Sequence, residues 1–197
     1  MVSDSAAVPR RRLLEAARTC LLERGYANLS TRRIADEAGL ALGHLHYYFG
    51  SKRQLLLAVL AEENDRLLAR QREMYADDAP LWKRWEQACD FLDDDIDSGY
   101  VRVLQELTAA GWSDPDLAEA VRGLLQGWFD LLARVAEHAA AQLGGFGPLE
   151  PADIGALVGD AFLGAETMVL LGVREREVPH RGALRRIGEW IRQLEEP

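Results

Sequence analysis

The segment from Ser30 to Lys52 reads STRRIADEAGLALGHLHYYFGSK and concentrates side chains able to recognise a polyanion. Arginine presents a planar fork suited to phosphate oxygens and to the O6/N7 edge of guanine, whereas hydroxyls and phenols donate singly to phosphates. His44, His46, Tyr47 and Tyr48 crowd together beside Gly43, where a missing side chain permits close approach to DNA. Nothing comparable points to catalysis. No Ser/His/Asp, Cys/His, phosphate-loop or glycine-rich fingerprint stands in a fitting context. Four-helix carboxylate enzymes need two inward Glu-x-x-His motifs, and the chain holds one, Glu177 to His180, interrupted by Pro179. His138 lacks spaced ligand partners, and the run Asp93, Asp94, Asp95 with Asp97 reads as a solvated helix end. An enzyme is therefore not expected, nor a cofactor or metal. A metal-binding helical-bundle enzyme stands as the alternative from another class.

Those side chains need two short helices to position them. Ser30 is a good N-cap for the first, which ends before Gly39; Ile34, Ala35 and Ala38 give it an inner face. Gly39 allows the positive φ of a turn, Leu40 fills the space between helices, and Leu45 and Phe49, four apart, anchor a second helix from about Leu42 to Phe49. With those residues buried, His44, His46, Tyr47 and Tyr48 project outward. This is the spacing of a helix-turn-helix, whose second helix fits the major groove of B-DNA, ~12 Å wide.

Here the sequence resembles the TetR family of transcriptional repressors, from about Arg10 to Leu60. The resemblance rests on Arg24-Gly25-Tyr26, on Thr31 with Ile34-Ala35 and Ala38-Gly39, and on Gly43, Leu45, Tyr48-Phe49 and Ser51-Lys52. It implies that Thr31 and Tyr47 bind phosphates, that Lys52 binds one from the start of the fourth helix, and that Arg32 reaches a base edge or backbone. It also implies a homodimer on a palindromic operator, released by a small-molecule inducer. The chain departs from the family pattern at His44, where threonine is frequent, at His46, where tyrosine is frequent, and at Ala41-Leu42, which replace a Ser-Lys pair. Operator sequence cannot be inherited across those changes, and a DNA-binding activator would carry the same motif.

Charge divides the chain along the same line. The whole carries a net charge of −9, yet residues 1–55 hold nine Lys or Arg against five Asp or Glu, leaving −13 for residues 56–197. Since the Debye length is only ~8 Å at physiological salt, a basic head can bind phosphate despite an acidic body. With 48% hydrophobic and 28% charged residues over 197, the chain can bury a core. Cys20 and Cys89 form no disulfide framework or zinc spacing. Met1 to Pro9 lacks a secretory apolar run, and the longest apolar stretch, Ile154 to Val173, is interrupted by Asp160 and Glu166. A cytoplasmic location without membrane association is expected.

The expected fold is all-α, about nine helices, with a helix-turn-helix head over 1–55 and a ligand-binding and dimerisation body over 56–197. Helices are predicted over about Arg10–Arg24, Ser51–Met74 behind a Ser51/Gln54 capping box, Leu81–Asp95, Tyr100–Ala110, Pro115–Gln142, Ala152–Leu171 and Arg181–Leu194. Ile154, Leu157, Val158, Ala161, Phe162, Ala165, Met168 and Val169 form one apolar stripe, with Gly155, Gly159 and Gly164 permitting close approach of another helix. Leu184, Ile187, Trp190, Ile191 and Leu194 form a second. Both are expected at a dimer interface; alternatively they face only the chain's own core. An inducer site is expected along Leu104, Thr108, Trp112, Trp128, Phe129 and Phe162, residues that plain core packing also explains.

Overall fold

The computed structural model describes residues 4–76 and 78–196, with side chains from Ala7 onward. Met1, Val2 and Ser3, part of the stretch read above for a secretory run, lie outside the described residues. Among the described residues nine α-helices follow one another: α1 Asp4–Arg24, α2 Thr31–Glu37, α3 Leu42–Phe49, α4 Lys52–Ala76, α5 Leu81–Ser98, α6 Tyr100–Gly111, α7 Pro115–Leu143, α8 Pro151–Leu170 and α9 His180–Glu195. Among the described residues there is no strand, and no helix is long and apolar enough to cross a membrane. Helix α1 starts earlier than its periodicity predicts, continuing through Pro9 at the loss of one backbone donor. Of the capping box expected at α4 only half forms. Ser51 Oγ accepts from the Gln54 amide at 3.2 Å, but the Ser51 amide donates to the Phe49 carbonyl at 2.8 Å instead.

The chain divides into two compact units, one holding residues up to Arg66 together with Arg102–Arg122, the other Leu67–Val101 with residues from Gly123 onward. The core of the first unit is aliphatic. Leu13 and Leu21 of α1, Ile34 of α2, Leu45 of α3, and Leu55, Leu56 and Leu60 of α4 have no exposed surface. Between α1 and α2 the chain turns at Gly25, φ 72°, followed by a single 3-10 turn over Tyr26–Asn28. The Tyr26 amide donates to Glu106 Oε2 of α6 at 2.9 Å, and a side chain at Gly25 would meet that carboxylate. Arg53, at the start of α4, pairs with Asp114 at 3.0 Å and Asp116 at 2.5 Å, at the start of α7. Asp114 also accepts from the amides of Asp116 and Leu117, so of the two residues before Pro115 able to cap α7, Ser113 and Asp114, it is Asp114 that does.

In the second unit α5 and α9 run antiparallel along their length. The Glu195 carboxylate accepts from the amides of Leu81 and Trp82, both at 2.9 Å, so the end of α9 caps the start of α5. Trp85 Nε1 donates to the Leu184 carbonyl at 2.7 Å. At the far end Arg185 pairs with Asp90 and Asp93, and Arg181 with Asp93. Arg70 pairs with Asp95 at 2.6 Å while lying 4.0 Å over the Phe91 ring. Within the acidic run on α5, Asp93 and Asp95 are thus paired by the chain's own arginines. Burial pushes the Cys89 thiol of this core up to about 11.

Two stability predictions follow from this packing. Leu45→Ala removes a fully buried side chain and is expected to cost about 2–5 kcal/mol, read as a lower urea midpoint at unchanged m-value. For Asp114, desolvation raises the carboxyl, but the Leu117 amide, the Arg53 guanidinium and the Asp116 amide outweigh it and hold the group below its ordinary value. A depressed folded value means the contribution is complete above the ordinary carboxylate range and is lost as pH falls below it. Asp114→Ala is therefore expected to lower the melting temperature at pH 7 and to flatten its decline toward pH 3. A parallel decline in variant and parent contradicts this.

Candidate nucleic-acid interface

The turn between α2 and α3 is built from backbone bonds. Ser30 Oγ accepts from the Arg33 amide at 3.3 Å, opening α2. At its end the amides of Gly39 and Leu40 return to the carbonyls of Asp36 and Ala35, at 3.0 and 2.9 Å, while Gly39 takes φ 62°. Helix α3 then runs for eight residues and stops at Gly50, φ 73°. Its one buried residue is Leu45. Tyr47 is 81% exposed, His44 and Gly43 are exposed, and a side chain added at Gly43 would meet nothing within 4 Å. Tyr48 is half-buried, its ring meeting that of Tyr47 edge-on at 5.0 Å. Thr31 is half-buried and Arg32 exposed, both in the first turn of α2.

Two of the expected contacts are committed inside the protein. His46 Nδ1 donates to the Gly50 carbonyl at 2.9 Å, capping the end of α3 and leaving Nε2 as its outward nitrogen. Lys52 Nζ donates to the Leu29 carbonyl at 3.0 Å and lies 4.4 Å over the Tyr26 ring; partial burial pulls its pKa down. Two arginines that spacing did not single out stand beside the motif. Arg10 lies 5.4 Å from the Phe49 ring centre, and Arg12 reaches Gly39 so closely that a side chain there would strike its guanidinium. The triplet Arg10-Arg11-Arg12 was the available signal, but the fold alone sorts it: Arg11 turns to Glu15 on its own helix. Arg10, Arg12, Arg24, Arg32 and Arg33 form no ion pair with a carboxylate among the described residues.

The residues expected along an inducer site fall in both compact units. Leu104 is buried in the first unit, Thr108 is half-buried there, and Trp112 is 84% exposed. In the second unit Phe162 packs with Cys89, Leu92, Ala165 and Leu184, and Trp128 packs against that cluster while its Nε1 donates to Gln71 Oε1 at 2.9 Å. Phe129 lies against Gly159 of α8. A cavity of about 510 Å³ does exist in this unit, between α5, α7, α8 and α9. Its walls are ordinary aliphatic positions such as Leu132, Val135 and Ala136, indistinguishable by sequence from core.

The dimer stripes also divide. Phe162 and Ala165 of α8 and Leu184 and Ile191 of α9 are buried in the second unit's own core. Gly155 and Gly159 serve that packing as well, admitting the Ala133 backbone and the Phe129 ring. What remains outside is a second stripe one helical step around. Leu157, Ala161 and Gly164 are exposed on α8 with Met168 half-buried, and Ile187, Trp190 and Leu194 are exposed on α9. Ile154 and Val158 are half-buried. Both helices are apolar on two faces, and periodicity alone cannot say which face is inward.

The glutamate–histidine pair offers no metal site: Glu177 pairs with Arg174 at 2.7 Å. No group of three or more His, Cys, Asp or Glu among the described residues is placed to hold a metal.

Comparison with known proteins places this arrangement. The family model described as bacterial regulatory proteins, tetR family, matches residues 13–59. The chain is 34% identical over 64 residues to the HTH-type transcriptional repressor AcnR of Corynebacterium efficiens, a stretch covering 32% of this chain and 34% of that protein. It thus spans about a third of the length of such curated relatives. Among solved structures, GusR of Salmonella enterica superposes with a TM-score of 0.76 over 100% of this chain and 99% of its own, at 19% identity. The transcriptional regulator FadR of Bacillus subtilis, in complex with stearoyl-CoA, does so with a TM-score of 0.74 over 92% and 96%, at 17% identity. The whole-chain likeness fixes the fold, and residues 13–59, the matched head, carry the motif of the tetR family of bacterial regulatory proteins.

Proposed function

We propose that this protein is a ligand-responsive transcriptional regulator, a repressor that binds a palindromic operator as a homodimer and leaves it when a small lipophilic inducer binds. The observation that carries the reading is α3, an eight-residue helix anchored by Leu45 that turns His44, Tyr47 and an unobstructed Gly43 to solvent. Such a helix enters a major groove ~12 Å wide. Operator binding is assigned to residues 1–55 and ligand binding with dimerisation to 56–197. Thr31 and Tyr47 hold phosphates, Arg32 reaches a base edge or backbone, and His44, His46 and Tyr48 complete the reading surface. Lys52, already held by a carbonyl at 3.0 Å, adds its charge beside the backbone while fixing the start of α4. No enzymatic step belongs to this reading, and DNA places the protein in the cytoplasm.

Dimerisation uses the outward stripes. Leu157, Ala161 and Met168 of α8 with Ile187 and Trp190 of α9, flanked by Ile154 and Val158, present an apolar surface whose two-fold pairing gives an isologous four-helix contact. The family relationship and the exposure of Leu157, 58%, and Trp190, 61%, support this. A ligand that favours a head spacing unfit for the operator shifts the population, and by linkage the operator weakens that ligand equally.

Selection from a random duplex pool is expected to enrich a palindrome with half-sites one helical turn apart; enrichment of no palindrome contradicts the reading. Gly43→Ala separates fold from recognition. Alanine in a helix is more stable than glycine by up to about 1 kcal/mol, so the melting temperature is expected to hold or rise while operator affinity falls through lost close approach. Tyr47→Phe is expected to weaken all duplexes alike, whereas Arg32→Ala, if it reads a base, relaxes preference at one position by about 1–3 kcal/mol. Leu157→Glu with Trp190→Glu is expected to move the protein from dimer to monomer mass in sedimentation. A variant that stays dimeric refutes the assigned surface.

A further inference from the structure

Beside the apolar cavity of the second unit lies a smaller recess of about 350 Å³ with a different chemistry. Arg72 from the end of α4, Arg84 from α5, and Arg134 with His138 from α7 line it, Arg84 half-buried and the other three exposed, and among the described residues none of its lining is acidic. Residues 56–197 carry −13 overall, so a recess lined by three guanidiniums and, among the described residues, no carboxylate runs against the composition around it. Among the described residues no carboxylate pairs with Arg72, Arg84 or Arg134. Arg84 Nε is buried without a hydrogen-bond partner, and its Nη1 reaches only the Tyr75 carbonyl at 3.4 Å. Buried donors are nearly always paired, so an unpaired guanidinium nitrogen in such a recess calls for an acceptor from outside the chain. On α7, His138 Nδ1 donates to the Arg134 carbonyl at 2.7 Å, leaving Nε2 as the other ring nitrogen.

The recess and the cavity share Tyr75, Leu81, Val135 and Ala139. The cavity, about 510 Å³, carries no charged side chain; Leu132, Ala136, Val158 and Ile191 typify its wall, with Ile187 and Trp190 at its rim. A volume of this size lies within the ~300–1,000 Å³ usual for small-molecule sites. The one indole of its inner wall, Trp85, already donates to the Leu184 carbonyl. Desolvation pushes the Tyr75 phenol up to about 12, so at neutral pH it is a donor and not a competing anion.

We propose that the second unit binds an amphipathic anion, its acid group held by Arg72, Arg84, Arg134 and His138 and its apolar body lying in the adjoining cavity. This names the chemical class of ligand for the ligand-responsive reading and rests on that reading for its regulatory meaning, though not for binding itself. A neutral lipophile would fill the cavity and leave the guanidiniums idle; a small inorganic anion would leave the cavity empty. The required ligand has both parts, as carboxylates and phosphate esters of medium-length chains do.

Isothermal titration of the full chain with dodecanoate, dodecyl phosphate and 1-dodecanol, which share one chain length, tests this. At least one of the two anions is expected to bind about tenfold or more tightly than the alcohol, the scale of one charge-assisted contact. Arg84→Gln with Arg134→Gln is expected to erase that preference while leaving 1-dodecanol affinity unchanged, and the paired Lys variant to restore part of it. Equal affinity for anions and alcohol, an anion preference that survives the double Gln variant, or no binding of any of the three overturns the proposal. Displacement of the selected operator duplex is measured separately. Anion-selective binding without displacement upholds the site and removes its regulatory role, whereas displacement by 1-dodecanol at equal affinity overturns the basic recess and keeps the ligand-responsive reading.

Discussion

The exposed face of α3 hangs on a single buried side chain. Helix α3 has eight residues and buries only Leu45. Isolated helices shorter than ~12–15 residues are marginal in water, so α3 exists because the first unit holds it, not because its own sequence insists on helix. Gly50 closes its far end, and the Nδ1 bond from His46 to the Gly50 carbonyl caps its last turn. The remaining side chains of α3 are therefore free of structural duty in proportion to their distance from Leu45. His44 and Tyr47 can vary at little cost to the fold, while His46 cannot vary so freely.

What holds the anchor in turn is a set of polar ties that bring α6 and the start of α7 into the same unit. Glu106 accepts from the Tyr26 amide where α1 ends, and Gly25 leaves room for that carboxylate. Arg53 reaches Asp114 and Asp116 from the first turn of α4. Exposed pairs of this kind contribute little individually, about 0–1 kcal/mol, so their role is register more than stability. Lys52 belongs to the same corner: an ammonium held by the Leu29 carbonyl and the Tyr26 ring fixes where α4 begins. Charge near a phosphate and geometry at a corner are not exclusive uses of one side chain, but the second is already visible in the unliganded fold.

Much of this was legible in the sequence because it is local. The ends of α2 and α3 follow from residues within a few positions of each other, and each lies where turn and cap chemistry puts it. The failures share a different cause. Phe162, Ala165, Leu184 and Ile191 read as one surface with Leu157 and Trp190 because both helices are apolar on two faces; choosing between faces requires knowing that α5 lies along α9. Trp112 read as a pocket wall because tryptophan is usually covered, yet it stands in solvent at the α6–α7 turn. The basic recess left almost no trace, since Arg72, Arg84 and Arg134 meet only in three dimensions.

The outward stripe and the cavity are physically one problem. Ile187, Trp190 and Leu194 are exposed on α9 and at the same time bound the cavity. A ligand beneath those side chains and a second copy packed over them would use the same rotamers. On the proposed reading, filling the cavity changes the free energy of pairing, unless the rim takes one conformation in every state; and by reciprocity pairing would change ligand affinity by the same factor. Coupling within the second unit therefore needs no long pathway. It requires only that side chains such as Trp190, on the boundary between an apolar cavity and an apolar face, have more than one way to be buried.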